Sequence, residues 1–234
     1  MNRAALRLQA LTVAALGLLV AACASGPPPP DWQANARQAV DNAVIAYLEG
    51  NARVEAAETA RARSEVARSG RLDLLARAEL MRCAARVASL VFEPCEGFEK
   101  LRADAAPAEL AYADFLAGRL RPQDVALLPE QHRGVAGAKS GPAADAALGA
   151  IDDPLSRLIA AGVLFGGGRG SPQTLQTAVD TASAQGWRRP LLAWLNAQLL
   201  AAERAGAEGE AQRLRRRIEV VQGGGRNPGP ARQQ

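Results

Sequence analysis

Apolar residues recur every three or four positions along most of the chain, with polar residues between them. This spacing places the apolar side chains on one face of an α-helix. Three segments show it early in the chain, at 32–48, 52–68 and 71–92. Gly50 separates the first two, and Pro94 follows the third, where a helix has to stop. We therefore predict three helices in this part of the chain.

Prolines mark most of the later helix starts, because a proline fits the first helical turn, where its missing N–H is not needed. Asp153 and Ser171 each precede such a proline and supply a capping oxygen. The predicted helices are 107–118, 122–128, 142–149, 154–165, 172–185, 189–205 and 207–221. No run alternates clearly between apolar and polar residues, so the sequence predicts an all-α fold.

Two all-α architectures fit this order of helices. Residues 191–218 resemble a tetratricopeptide hairpin with its turn at Gly206, which implies helical hairpins stacked as a short solenoid. Arg215 stands where that family has an aromatic residue, and an irregular helical bundle is the alternative. The glycines within 133–142 predict a hinge. That hinge would divide the helical body into an N-terminal half at 32–132 and a C-terminal half at 143–222.

The first residues have the pattern of an export signal. Two arginines and no acidic residue precede an apolar run over 10–22, which is short for a permanent membrane span. The run ends in Leu19-Val20-Ala21-Ala22-Cys23, which resembles the lipobox of bacterial lipoproteins. The resemblance implies that residues 1–22 are removed and that Cys23 is acylated. Because Ala24, not aspartate, follows the cysteine, it also implies anchoring in the outer membrane, facing the periplasm.

Short segments flank the predicted helical body. Residues 23–31 hold the lipid-bearing cysteine and four consecutive prolines, which favour a stiff polyproline spacer. Residues 223–234 are rich in glycine and proline and predict a disordered tail. Six arginines follow residue 212, whereas residues 23–212 carry 20 basic and 23 acidic side chains. The formal net charge of +4 therefore comes from the signal and the C-terminal end.

Composition limits the chemistry that the chain can perform. It is 48% hydrophobic, which excludes a disordered chain, and its single histidine excludes a multi-histidine metal site. That histidine, His132, has no nucleophile motif nearby, so we expect an ordinary loop or helix-end residue. Glu93, Glu96 and Glu99 fit the start of a short helix. The glycine-rich residues 166–171 lack the Gly-Lys-Ser/Thr ending of a phosphate-binding loop and predict a connector.

Two cysteines, Cys83 and Cys95, remain once the lipid-bearing cysteine is set aside. An exported protein meets an oxidising compartment, so we predict a disulfide between them, with two buried thiols as the alternative. Bridged Cα atoms lie within about 7 Å, whereas a helix that continued to Phe92 would carry the chain about 13 Å away from Cys83. The bridge therefore requires the helix to end near Ser89, or residues 91–94 to run back along it.

Four arginines lie on the last predicted helix, at Arg213, Arg215, Arg216 and Arg217. Guanidinium groups bind phosphates and carboxylates, so this cluster is a candidate contact for anionic lipid or peptidoglycan. The alternative is an exposed helix face whose arginine stems cover apolar surface. Nucleic acid is not an expected partner for a protein outside the cytoplasm.

These features favour binding over catalysis. We predict no catalytic residue, no metal site and no cofactor beyond the lipid on Cys23. We expect a non-enzymatic outer-membrane lipoprotein whose helices bind another envelope protein, as helical-repeat lipoproteins of outer-membrane assembly and pilus biogenesis do, by analogy of architecture. The alternative is a peptidoglycan-processing, lysozyme-like enzyme, which needs one glutamate acid in a cleft. Such enzymes often carry a Glu-Ser pair, and this sequence has none.

Overall fold

The computed structural model describes residues 30–224, and all regular secondary structure in this range is helical. The α-helices are α1 Asp31–Glu49, α2 Ala52–Ala67, α3 Leu72–Ala88, α4 Glu96–Glu99, α5 Pro107–Leu116, α6 Glu130–Gly137, α7 Pro142–Gly149, α8 Pro154–Gly166, α9 Pro172–Ala184, α10 Arg188–Arg204 and α11 Glu208–Gly223. Short 3₁₀ helices at Arg102–Asp104 and Pro122–Leu127 flank α5. The predicted all-α fold is confirmed. The signal 1–22, Cys23 and the tail from residue 225 lie outside the described residues.

Helix ends that depend on local chemistry fall within two residues of the predicted positions. The side chain of Asp153 accepts a hydrogen bond from the backbone N–H of Ser156 at the start of α8. Ser171 and Thr174 form a reciprocal capping box at the start of α9. Each cap satisfies an N–H group that the helix itself leaves unpaired. Sequence-local hydrogen bonds therefore set these boundaries.

Helix α3 ends at Ala88, four residues before its predicted end. Leu90 has a φ of 59°, a left-handed conformation that no right-handed helix continues through. The indole N–H of Trp194 donates a hydrogen bond of 3.0 Å to the carbonyl oxygen of Ala88. The chain then turns back, and the Cα atoms of Cys83 and Cys95 lie 5.8 Å apart in a disulfide. The predicted bridge is confirmed, and the prediction that α3 continues to residue 92 is wrong.

A single large core cluster of buried residues runs from Ala76 on α3 to Ile218 on α11. Helix α3 packs against α1, α2, α5 and α8. Gly162 of α8 lies so close to the backbone of α3 that a Cβ there would overlap the carbonyl oxygen of Val87. Because no other residue type permits this approach, the glycine allows α8 and α3 to cross at backbone contact.

The first half of the predicted hinge at residues 133–142 lies in helix α6. Val135 of α6 is fully buried and belongs to the same core cluster as residues before and after it. Residues 138–141 are the part of the segment that lies outside helices. The core therefore continues across the expected boundary between two halves. Within residues 30–224, no helix combines the length and apolar character needed to cross a bilayer.

The disulfide predicts a measurable stability difference. Cys83 and Cys95 are 12 residues apart in sequence, and a loop of this size stabilises the folded state by about 3 kcal/mol through the unfolded chain. We expect the double variant Cys83→Ala/Cys95→Ala to lose about that much free energy of unfolding in urea titrations. Reductant should lower the stability of the wild type to a similar level and leave the variant unchanged. Equal stability of wild type and variant without reductant would contradict the expectation.

Candidate functional site

Two concave surfaces border α3. The first, which we name the His132 cavity, has a volume of about 490 Å³ and lies between α3, α5, α6 and the start of α8. The second, the Phe92 groove, has a volume of about 670 Å³ and lies between residues 92–95, the end of α5 and the end of α8. Both surfaces assemble residues that are far apart in sequence, so neither could be recognised from local patterns.

His132 is a helix-end residue, as expected, and it is buried in the first turn of helix α6. Its side chain lines the cavity, yet the residue is only 1% exposed. The ring packs against Phe115 and Tyr112, with centroid distances of 5.1 and 5.7 Å. Burial lowers the pKa of His132 to about 4, and the negative charge of Asp153 acts in the opposite direction. The imidazole is therefore neutral near pH 7.

The Nδ1 atom of His132 is buried and has no hydrogen-bond partner among the described residues. Asp153 and Ser156 line the same cavity, but Asp153 accepts from the Ser156 backbone N–H at 2.7 Å, and Gln131 donates to the Ser156 hydroxyl at 3.4 Å. Within residues 30–224, neither residue is hydrogen-bonded to His132. A serine, a histidine and an aspartate thus meet here without the proton relay of a catalytic triad.

The remaining polar groups of the cavity are paired or perturbed by burial. Glu109 is 6% exposed, and its Oε1 accepts hydrogen bonds from the Nε and Nη2 atoms of Arg77, at 3.0 and 2.6 Å. This ion pair compensates the charge of the buried carboxylate. Burial raises the pKa of Tyr112, and the charge of Asp153 raises it further. The cavity therefore contains a paired carboxylate and a neutral phenol beside the neutral imidazole.

The Phe92 groove lies beside the disulfide. Phe92 is 49% exposed, and its ring edge lies against Gly166, where a Cβ would be 2.8 Å from the ring. The apolar lining of the groove comes from Val87, Pro94, Ala113, Leu116, Ala117 and Val163. Its charged lining comes from Arg86, Glu93, Glu99 and Arg119. The Cys83–Cys95 bridge fixes the segment that carries Phe92, so the aromatic ring is exposed on a constrained backbone.

The three glutamates after α3 do not form a joint site. Glu96 begins the short helix α4, as expected for an acid at a helix start, and Glu99 is the last residue of that helix. Glu99 accepts two hydrogen bonds from Arg102, and these lower its pKa. In the part of the chain that the structure describes, no group of three histidine, cysteine or acidic residues could hold a metal ion.

A buried acid that the sequence did not single out, Glu79, lies on α3 and is 3% exposed. Burial alone would raise the pKa of Glu79, but hydrogen bonds from Arg63 and Arg82 outweigh it and hold the pKa below its usual value. The pairing links α2 to α3 through the Arg63 guanidinium. Glu79 therefore has a structural role, and only the distance between arginines and glutamate in space could have revealed it.

The predicted arginine cluster lies on α11, and half of it is paired within the protein. Arg213 forms two hydrogen bonds with Glu210, and Arg215 pairs with Glu203. Arg216 and Arg217 form no salt bridge with another described residue. The buried side of the same helix is formed by Ala211, Leu214 and Ile218. Contact between these arginines and an anionic surface stays a prediction.

The buried histidine predicts a specific pH dependence of stability. In the unfolded chain a histidine titrates near 6.5, whereas His132 titrates at about 4 when folded. Between these values the unfolded state binds more protons, so the free energy of unfolding falls with falling pH, by about 3 kcal/mol in total. We expect the variant His132→Phe, whose ring fits among the aromatic rings, not to show this fall in the free energy of unfolding. The measurement is urea unfolding at several pH values between about 4 and 7.

The wild type and His132→Phe have the same carboxylates. The difference between their profiles of unfolding free energy against pH therefore reports on His132 alone. The variant should also be at least as stable as the wild type at pH 7, because it removes an unpartnered buried nitrogen. Parallel pH profiles for the two proteins would show that His132 is not held neutral by burial.

No protein-family model, curated protein or solved structure matches the chain.

Proposed function

We propose that the chain is an outer-membrane-anchored lipoprotein whose helical domain faces the periplasm and binds another envelope protein without catalysing a reaction. The observation that carries the proposal is the Phe92 groove. An exposed aromatic ring on a disulfide-constrained segment lies beside a mainly apolar groove with charged residues around it. This combination is typical of a protein-binding surface rather than of a reaction centre.

The location follows from the N-terminal sequence and gains support from the disulfide. The resemblance to a lipobox implies acyl chains on Cys23, and two or more chains anchor a protein stably where one chain binds only marginally. Disulfides persist in oxidising compartments, so the Cys83–Cys95 bridge supports export from the cytoplasm. The polyproline segment at 27–30 would hold the helical domain just off the membrane.

The groove suits a partner that presents apolar side chains with charges at its margins. Aromatic residues dominate the binding energy of many interfaces, and Phe92 is the exposed aromatic residue of this surface. The bridge reduces the conformational entropy that the segment loses on binding. Positive and negative side chains, Arg119 and Glu93 among them, line the same groove and would fix the orientation of the partner through complementary charges.

Stacked hairpins describe one part of the domain better than the rest. Helices α8 to α11 pack consecutively, each against the next, as helices of tetratricopeptide-like hairpins do. In contrast, α3 packs against α8 across a long sequence separation, and α1 packs against both α3 and α10. We therefore propose a short stack of hairpins from residue 154 onward, joined to a more irregular bundle.

Hydrolysis of peptidoglycan has weaker support than protein binding. A lysozyme-like mechanism needs a glutamic acid that can donate a proton to the substrate. Glu109 is the buried glutamate of the His132 cavity, and its Oε1 is occupied by two hydrogen bonds from Arg77. In this arrangement the carboxylate acts as the partner of an ion pair, so it serves the fold rather than proton donation.

The proposal predicts site-specific crosslinking in intact cells. A photoreactive phenylalanine analogue at position 92 should form a discrete adduct with one envelope protein. The same analogue at Leu200, which is similarly exposed at 47%, should not, because Leu200 lies on α10 outside the groove. Filling the groove with Ala117→Trp should abolish the adduct from position 92. The measurement is immunoblotting and mass spectrometry of the adducts.

A further variant tests the proposed lipid anchor on Cys23. The variant Cys23→Ser should incorporate no labelled palmitate, leave the outer-membrane fraction and lose most of the adduct from position 92. Equal adducts from positions 92 and 200, or an adduct that survives Ala117→Trp, would contradict binding through the groove. Release of soluble fragments from peptidoglycan by the purified protein would instead favour the enzymatic alternative.

A further inference from the structure

The His132 cavity combines an apolar lining with an unsatisfied polar group. Its walls are formed largely by Leu80, Met81, Leu127, Leu128, Leu155 and Ile159. The side chain of His132 also lines the cavity, and Nδ1 has no hydrogen-bond partner in the described part of the chain. Buried polar atoms in folded proteins are almost always hydrogen-bonded, so the ring of His132 retains unused hydrogen-bonding capacity.

The one cation that lines the cavity within residues 30–224, Arg77, is already paired. Arg77 and Glu109 form an ion pair, and the carboxylate of Asp153 caps the start of α8. His132 itself is neutral near pH 7 because burial lowers its pKa to about 4. A negatively charged ligand would therefore have to leave water without gaining an opposite charge, which is strongly unfavourable. An uncharged ligand meets no such penalty.

We propose that the His132 cavity binds an uncharged, mainly apolar small molecule whose hydroxyl or amino group hydrogen-bonds to the ring of His132. A volume of about 490 Å³ lies within the range of small-molecule sites, and such sites are apolar with a few polar groups that orient the ligand. A neutral imidazole offers one donor and one acceptor nitrogen, so a hydroxyl group can pair with either tautomer.

Water alone is a poorer occupant of this space. A water molecule takes about 30 Å³ and is held in place by two to four polar partners. Few polar groups line the cavity, and of these Ser156 accepts from Gln131, while Glu109 and Asp153 each use one carboxylate oxygen within the fold. Most of the apolar lining would remain in contact with weakly held water. A ligand with an apolar body removes this lining from water, which is favourable.

The test uses a pair of fluorescent probes with related ring systems. N-phenyl-1-naphthylamine is uncharged and has one N–H group, whereas 8-anilino-1-naphthalenesulfonate adds a negative charge. The protein is the full chain carrying Cys23→Ser, so that no acyl chain on this residue can bind the probe. We expect saturable fluorescence enhancement with the uncharged probe and at least about tenfold weaker binding of the sulfonate, because no unpaired cation among residues 30–224 lines the cavity.

Three variants locate the binding. His132→Phe keeps the aromatic packing but removes both ring nitrogens, and it should weaken binding of the uncharged probe by about tenfold. Leu127→Asp places a charge on the cavity wall and should abolish binding. The matched control Leu200→Asp should have no effect, since Leu127 and Leu200 are similarly exposed, at 42% and 47%, and Leu200 lies outside the cavity. Ala117→Trp, in the Phe92 groove, should also leave binding unchanged.

Several results would overturn the inference. These are no saturable binding of the uncharged probe, equal affinity for both probes, or wild-type affinity in both cavity variants. If His132→Phe does not fold, as judged by circular dichroism, the comparison of Leu127→Asp with Leu200→Asp decides alone. Because Ala117→Trp separates the groove from the cavity, failure here is distinguishable from failure of the proposed protein binding.

Discussion

The end of helix α3 at Ala88 is the constraint on which the surrounding structure depends. A helix that continued to residue 92 would carry the chain about 13 Å from Cys83, and the disulfide could not form. Three features hold the end in place: the left-handed backbone at Leu90, the hydrogen bond from Trp194 to Ala88, and backbone contact between α8 and α3 at Gly162. Because α3 ends at Ala88, the residues that follow it lie outside the helix, and this segment carries Phe92 and borders the groove.

The same helix also connects the two candidate sites and separates their chemistry. Its N-terminal part supplies Arg77, Leu80 and Met81 to the His132 cavity, and its C-terminal part supplies Cys83 and Arg86 to the Phe92 groove. Buried glutamates on α3 and α5 are each held by arginines, so the charges near the helix are satisfied within the fold. The proposed protein binding at the groove and the proposed ligand binding in the cavity involve different residues, so each can be altered separately.

Features encoded by neighbouring residues were predictable from the sequence, and features created by distant contacts were not. Caps at Asp153 and Ser171 set helix starts through bonds three residues apart, so those boundaries were predicted closely. The end of α3 depends on Trp194, more than a hundred residues away, and was placed too late. The hinge at 133–142 was expected from glycines alone, whereas Val135 brings that segment into the core. His132 gained its significance only from packing against Tyr112 and Phe115.

The central claim, that α8 fixes the end of α3 through Gly162, is tested most directly by the free energy of unfolding of Gly162→Ala. The added Cβ would overlap the carbonyl oxygen of Val87, and we expect a loss of more than about 2 kcal/mol. The control is Gly209→Ala, which places its Cβ in open space near the start of α11 and should gain up to about 1 kcal/mol from helix propensity. A Gly162→Ala protein as stable as the wild type would contradict the account.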